Sequence, residues 1–312
     1  MKKISIIIPL FNEESSLNEL YAEIKNNVSE YDYEIIFIDD GSTDNSLNIL
    51  MELSKIDQRL KIIKFHNNYG KAEALSEGFS VSKGDYIITM DADLQDNPKE
   101  IKPIIEKIDE GWDLVSGWKK NRKDPINKTL PSRFFNFVTG FLTGLKLHDY
   151  NCGLKGYRKR VVKSLNIYGG LHRYIPAIVF QNGFKITEIE VNHRSRKYGN
   201  TKYGGKRFFD GFFDLITVLF LGKYTTQPLH FFGFIGIIGT VIGIIIEIYV
   251  LYLKYFLGEP FQLHFALLML GILFIVIGIQ FFSIGLIGDM IVRSSPSKRD
   301  RVDTIYQKDF NN

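Results

Sequence analysis

The chain has 312 residues, with 39 Lys and Arg against 35 Asp and Glu, six histidines and one cysteine, Cys152. A single thiol excludes an internal disulfide, and the scattered histidines suggest no zinc site. The small excess of positive charge calls for no nucleic-acid partner, and the length accommodates one large or two ordinary domains.

Met1-Lys2-Lys3 leads straight into Ile4-Ser5-Ile6-Ile7-Ile8, so no cleaved signal peptide is expected at this end. The apolar run reads as a strand buried on both faces and ended by Pro9. A helix follows from about Ser16, with Ser16 and Glu19 in capping-box spacing and Leu17, Leu20, Tyr21 and Ile24 on one face. Tyr33 to Asp39 is the next strand, and Gly41-Ser42-Thr43-Asp44 leads into a helix to about Ile56. Strands are predicted over Lys61–Phe65, Asp85–Met90 and Leu114–Ser116, with helices over Lys71–Ser82 and Pro98–Glu110, the last capped by Asn97. Repeated strand-helix-strand units predict an α/β domain with a mostly parallel sheet and helices on both faces. Ligands of such sheets bind at the carboxyl ends of the strands.

Three polar clusters fall at those ends: Pro9-Leu10-Phe11-Asn12-Glu13-Glu14, Asp39-Asp40-Gly41-Ser42-Thr43-Asp44, and Asp91-Ala92-Asp93-Leu94-Gln95. Each alone could be turn chemistry, since Asp, Asn, Gly and Ser favour turns and caps. In the third, alternation along an extended backbone lets Asp91, Asp93 and Gln95 converge while Ala92 and Leu94 face away. Oxygen ligands of this kind suit Mg²⁺ or Mn²⁺, which keep open positions for phosphates.

Beyond about Gly205 the composition changes. Phe231–Ile246 and Phe265–Gly288 contain no charged residue, and each with its flanks can cross a hydrocarbon core of roughly 30 Å. Two membrane-spanning helices are predicted, with Glu247 the one acid inside the first. Arg194, Arg196, Lys197, Lys202, Lys206, Arg207 and Lys223 flank them on one side, and Arg293, Lys298, Arg299 and Arg301 on the other. The positive-inside rule then puts both ends in the cytoplasm, with the chain in the cell (inner) membrane. Over Lys206–Gly222 polar residues recur at helical spacing among Phe and Leu, which predicts an amphipathic helix in the membrane interface; a similar apolar helix is expected over Phe134–Leu145. Gly233, Gly236, Gly239 and Gly243 offer a small-residue stripe for close helix approach, including a homo-oligomer contact. The organisation is a domain over 1–205, a juxtamembrane helix over 206–228, a hairpin over 229–290 and a tail over 291–312.

The motifs Ile6-Ile7-Ile8-Pro9-Leu10-Phe11-Asn12-Glu13, Ile38-Asp39-Asp40-Gly41-Ser42-Thr43-Asp44 and Asp91-Ala92-Asp93-Leu94-Gln95, in this order, resemble the family-2 glycosyltransferases of the nucleotide-sugar (GT-A) fold. Ser116-Gly117-Trp118, Asp149-Tyr150-Asn151-Cys152-Gly153-Leu154-Lys155, Arg196 to Tyr203 and the two terminal spans narrow the likeness to the polyprenyl-phosphate glycosyltransferases, which include dolichyl-phosphate mannose synthases and bactoprenol glucosyltransferases. The resemblance implies that Pro9, Phe11, Glu13, Asp40 and Asp91 hold the donor, and that Asp91, Asp93 and Gln95 hold the metal on its diphosphate. Asp93 is the leading catalytic residue. Asp149 takes the place where related transferases carry an acid near the reaction centre; a turn or cap role is the alternative reading. Arg122, Arg133, Arg196 and Lys202 are the candidate grips for the phosphate of a lipid acceptor. Many relatives carry Arg after the Gly-Trp pair, and Lys119 stands there instead.

The implied activity is inverting transfer of one hexose from a nucleotide sugar, UDP-glucose first and UDP-N-acetylglucosamine next, to polyprenyl (undecaprenyl) phosphate at the cytoplasmic leaflet. A processive polysaccharide synthase usually carries Gln-x-x-Arg-Trp, which this chain lacks. A non-catalytic membrane scaffold would not need the acidic strand ends, and two spans are too few to enclose a transport pathway.

Overall fold

The computed structural model describes residues 2–120, 136–195, 197, 214–218 and 227–294. The chain divides into two compact units, 1–218 and 219–312.

The first unit is built on a seven-stranded sheet. Its strands are β1 (Lys3–Leu10), β2 (Asp32–Asp39), β3 (Leu60–Lys64), β4 (Tyr86–Thr89), β5 (Leu114–Trp118), β6 (Lys155–Arg158) and β7 (Ile186–Glu190), in the order β3-β2-β1-β4-β6-β5-β7. Every pairing is parallel except those of β6 with β4 and with β5. β1 and β2 read as unbroken apolar runs because both faces are covered: Ile4, Ile6, Ile7, Ile8, Ile35, Ile36, Phe37 and Ile38 are all buried. The helices α1 (Leu17–Val28), α2 (Ser46–Ile56), α3 (Lys71–Val81) and α4 (Ile101–Asp109) make the crossovers. α1 and α4 lay Leu20, Ile24, Ile104 and Ile108 into the core beneath β1.

Two capping expectations separate here. Asn97 accepts a hydrogen bond from the Lys99 N–H at 3.1 Å and starts a 3-10 turn, Pro98–Glu100, that runs into α4. Ser16 does not close a capping box: its hydroxyl turns back and donates to the Glu13 carbonyl at 2.9 Å. β6, with Lys155 and Arg158 at its ends, carries no apolar alternation and was not predicted from the sequence.

Chain order places the site. The strands run outward from β1 to β2 and β3, then β4 returns to the other side of β1, so the topological switch point lies between β1 and β4. Later segments complete the unit: α5 (residues 136–143), α6 (Lys159–Ser164), α7 (Ile175–Gln181), and α8 (residues 214–218). α5 falls within the predicted 134–145 helix and leaves Phe137 and Phe141 exposed. The predicted amphipathic helix over 206–222 lies outside the described residues apart from α8.

The second unit is a hairpin of α9 (Pro228–Phe256) and α10 (Phe265–Ser294). Its most apolar stretches are only 17% and 11% buried by the chain itself, and both helices are long and apolar enough to cross a membrane. The protein is a membrane protein. The glycine stripe is used inside the hairpin. A Cβ at Gly236 would fall 2.5 Å from the Gly278 carbonyl oxygen, and one at Gly243 2.6 Å from that of Gly271. Gly233 likewise faces Phe282, and Gly239 faces Gly278. These small residues let α9 and α10 approach each other closely.

Candidate active site

The first two polar clusters form one tied structure at the ends of β1 and β2. Asn12, held in the left-handed region at φ 54°, accepts from the Thr43 N–H at 2.8 Å, and its own N–H donates to Ser42 Oγ at 2.9 Å. The Glu13 N–H donates to Ser46 Oγ at 3.0 Å, and the Asn45 N–H to Glu14 Oε2 at 2.8 Å. Asp39 is fully buried and accepts from the Ser42 N–H at 2.8 Å. Much of the polar character read as chemistry in these segments therefore builds the turn.

Asp40 spans the turn and the cleft. Its two oxygens accept from the Tyr69 N–H at 2.7 Å and the Gly70 N–H at 2.9 Å, and this fixes the segment that begins α3. Burial, set against those hydrogen bonds, raises its carboxyl above the usual range.

A cleft of about 820 Å³ opens over the switch point. Pro9, Phe11, Glu13, Asp40, Asp91 and Asp93 line it, so six of the sequence-predicted residues come together there. Lys71, His172, Arg173 and Asp214 line it too, and sequence reasoning missed all four.

Asp91 is the centre of charge. Lys71 Nζ donates to its Oδ1 in a half-buried ion pair, and the Asp91 N–H donates to Asp96 Oδ2 at 3.1 Å. Burial alone would raise the Asp91 carboxyl, but Lys71, Lys119 and Lys155 outweigh it and hold the group down to about 2. It is ionised at any working pH. Two of those lysines lie below the surface. Lys119 pairs with buried Asp96 at 3.1 Å, and Lys155, 3% exposed, donates to the Cys152 carbonyl. The Lys119 ammonium is thus spent inside the fold, where its charge is raised in favour by Asp96, Cys152 and Asp91 against the cost of burial.

Asp93 follows on the same rim. Its Oδ1 accepts from the Gln95 N–H at 3.1 Å, across buried Leu94, which takes φ 63°. That left-handed residue turns the chain so that Gln95 leaves the cleft wall. Gln95 Nε2 reaches the Arg194 carbonyl at 3.4 Å, and the Arg194 N–H returns a bond to the Gln95 carbonyl at 3.0 Å. The convergence of Asp91, Asp93 and Gln95 expected from strand alternation is therefore interrupted after Asp93.

Asp149, the other acid singled out from the sequence, is not among the residues lining this cleft. It is 1% exposed and accepts from the Asn151 N–H at 3.1 Å, so its visible role is that of a buried turn acid. Arg122, Arg133, Arg196 and Lys202 lie outside the described residues.

The opposite wall comes from a 3-10 turn, Leu171–Tyr174. Arg173 faces Asp214 at 3.8 Å, and the Asp214 carboxylate presses on the backbone of Gly170, where a Cβ would overlap it. Burial, then Lys71 and Arg173, drive the His172 imidazole down to about 3, so it stays neutral.

Among the described residues no group of three or more His, Cys, Asp or Glu side chains gathers as a metal cage. Asp91 and Asp93 form an oxygen pair that suits a hard cation whose remaining ligands come from a bound phosphate.

Residues 5–165 match the family described as glycosyl transferase family 2. The chain is a family 2 glycosyltransferase. The transferase is 35% identical over 299 residues to the dodecaprenyl-phosphate galacturonate synthase of Rhizobium johnstonii, covering 94% of this chain and 88% of that protein. It is 33% identical over 311 residues to the undecaprenyl-phosphate 4-deoxy-4-formamido-L-arabinose transferase of Proteus mirabilis, covering 99% and 94%. Among solved structures, the glucosyl-3-phosphoglycerate synthase of Mycobacterium tuberculosis in complex with Mn²⁺, UDP-glucose and phosphoglyceric acid superposes with a TM-score of 0.57. That match is 18% identical over 72% of this chain and 82% of the other, and it establishes that the transferase has the GT-A fold.

Proposed function

We propose that this glycosyltransferase moves a single sugar from a nucleoside diphosphate donor to a polyprenyl phosphate, undecaprenyl phosphate being the acceptor to test first, at the cytoplasmic leaflet. The observation that carries the reading is the pair of cleft carboxylates, Asp91 and Asp93, at the switch point of a chain that also owns a lipid-facing hairpin. Both relatives named above are polyprenyl-phosphate sugar transferases by name, and each is matched over nearly its whole length.

Pro9, Phe11 and Glu13, on the loop after β1, offer an apolar and hydrogen-bonding wall for a nucleobase and ribose. Asp40 supports that wall by holding the 69–70 backbone in place. Asp91 and Asp93 would hold Mg²⁺ or Mn²⁺. When bound, such a cation draws charge from the departing diphosphate. A lipid monophosphate is already anionic near neutral pH, so its oxygen attacks the anomeric carbon in one inverting displacement without a strong side-chain base. Buried Asp149 is then not required as a base. Arg122, Arg133, Arg196 and Lys202 are proposed to hold the acceptor phosphate, Arg through paired hydrogen bonds.

UDP-glucose is the first donor to test and UDP-N-acetylglucosamine the second. The names of the two relatives add nucleotide-linked galacturonate and 4-deoxy-4-formamido-L-arabinose to the panel. The test is nucleoside diphosphate release from each donor by purified protein with Mn²⁺, with and without undecaprenyl phosphate. Acceptor-dependent release from one donor, abolished by EDTA, is expected. Release that ignores the lipid phosphate for every donor contradicts the acceptor assignment.

A further inference from the structure

Lys71 and Asp91 meet inside the cleft in a way that bears on the order in which ligands enter. Lys71 is the first residue of α3, and the backbone just before it is clamped by Asp40 through the Tyr69 and Gly70 N–H groups. The ammonium is therefore delivered to Asp91 by a fixed helix start, and it occupies Oδ1. The whole carboxylate lies against Gly153, where a Cβ would come within 2.5 Å of Oδ2 and 2.8 Å of Oδ1. A cation arriving from the cleft meets Asp91 with Oδ1 engaged by Lys71 and the carboxylate backed by the Gly153 backbone.

We propose that Lys71 is a resident stand-in for the metal: it keeps Asp91 occupied in the free enzyme and releases it only when a diphosphate enters to accept the displaced ammonium. The inference rests on the donor and metal reading given above. Its physical basis is an exchange of partners. Displacing Lys71 from a half-buried ion pair with a bare cation sets its ammonium beside the arriving metal, and like charges at that range repel. A diphosphate changes the balance, because Lys71 then gains phosphate oxygens while Asp91 gains the cation. Metal and nucleotide uptake become coupled through one side chain, and Asp40 serves as a positioning residue for it.

The experiment is Mn²⁺ binding to the full-length protein in detergent, read from the free Mn²⁺ paramagnetic resonance signal, alone and with UDP, corrected for Mn²⁺–UDP formed without protein. Wild type, Lys71→Met, Lys71→Arg and the Lys71→Met/Asp91→Asn double variant are compared, with thermal unfolding as the check on folding. Wild type should bind Mn²⁺ weakly alone and much more tightly with UDP. Lys71→Met should bind Mn²⁺ alone about tenfold or more tightly than wild type, equivalent to at least about 1.4 kcal/mol. Lys71→Arg should stay weak, and the double variant should lose the gain. If wild type shows the UDP effect and Lys71→Met binds Mn²⁺ alone no better, the stand-in role is wrong while the donor reading holds. If wild type takes up no Mn²⁺ even with UDP, the metal reading itself falls and takes this inference with it.

Discussion

Gly153 lies directly against Asp91: a Cβ built on it would stand 2.5 Å from Oδ2 and 2.6 Å from Cγ of the carboxylate. The Gly153 carbonyl is fixed in turn by Thr89 Oγ1 at 2.9 Å, so the backbone behind the acid cannot readily retreat. Gly153→Ala should therefore push Asp91 out of place. The expected result is a loss of about 100-fold in kcat/KM, the scale of an ångström-sized misplacement of a reacting group. Steady-state donor kinetics beside a melting curve check it, and an Ala variant with wild-type rates would show that Asp91 does not need this position.

Lys119 and Asp96 predict a stability effect. Asp96 is 2% exposed, pairs with Lys119 at 3.1 Å and accepts the Asp91 N–H. Lys119→Met leaves that acid buried without its cation, at a cost of about 3–5 kcal/mol. Replacing both partners, Lys119→Met with Asp96→Leu, should cost less than the single change. Thermal unfolding of the two variants decides between a required pair and an incidental one.

His172 gives a pH prediction. Its imidazole is held at about 3, first by burial and then by Lys71 and Arg173, so it carries no charge from pH 5 to 8 and contributes no limb to the rate profile there. A phosphomonoester acceptor loses its second proton near pH 6, roughly, and activity should rise through that range as the nucleophile gains charge. His172→Gln should keep this limb unchanged. Its disappearance in the variant would mean that the histidine, not the acceptor, titrates.

Much of the site was legible, and the rest was hidden for physical reasons. The ends of β1, β2 and β4 announce themselves because buried parallel strands read as apolar runs and stop at polar residues, and these gave Pro9, Glu13, Asp40, Asp91 and Asp93. Lys71 did not announce itself, and Lys119 and Lys155 stood out only within motifs and not as charges on Asp91, because a lysine in a polar segment reads as a solvated one. Only the fold brings Lys71 to Asp91 and Lys119 to Asp96. The alternation that set Gln95 on one face with Asp91 and Asp93 assumes extended backbone, and Leu94 at φ 63° breaks it.

The glycine stripe was legible as a packing surface while its partner was not, since small residues on one helix do not say which helix approaches. Its use within the hairpin predicts that Gly278→Leu is disruptive, because a Cβ there would lie 2.3 Å from Thr240 Oγ1 and 2.6 Å from the Gly236 carbonyl oxygen. Cysteines introduced at facing positions of α9 and α10 should cross-link readily in the wild-type background and poorly in the Leu variant. Equal cross-linking in both would place the close contact elsewhere.

Asp93 lines the cleft beside Asp91. The most direct measurement is transfer of labelled sugar into butanol-extractable undecaprenyl phosphate by wild type and Asp93→Asn, using the donor identified in the panel and with both proteins shown to melt alike. The cleft assignment predicts a fall of about 100- to 1,000-fold on loss of this charge, the scale of removing one electrostatic stabiliser from an active site. Transfer by Asp93→Asn at near the wild-type rate would contradict it and move the chemistry away from the Asp91–Asp93 rim.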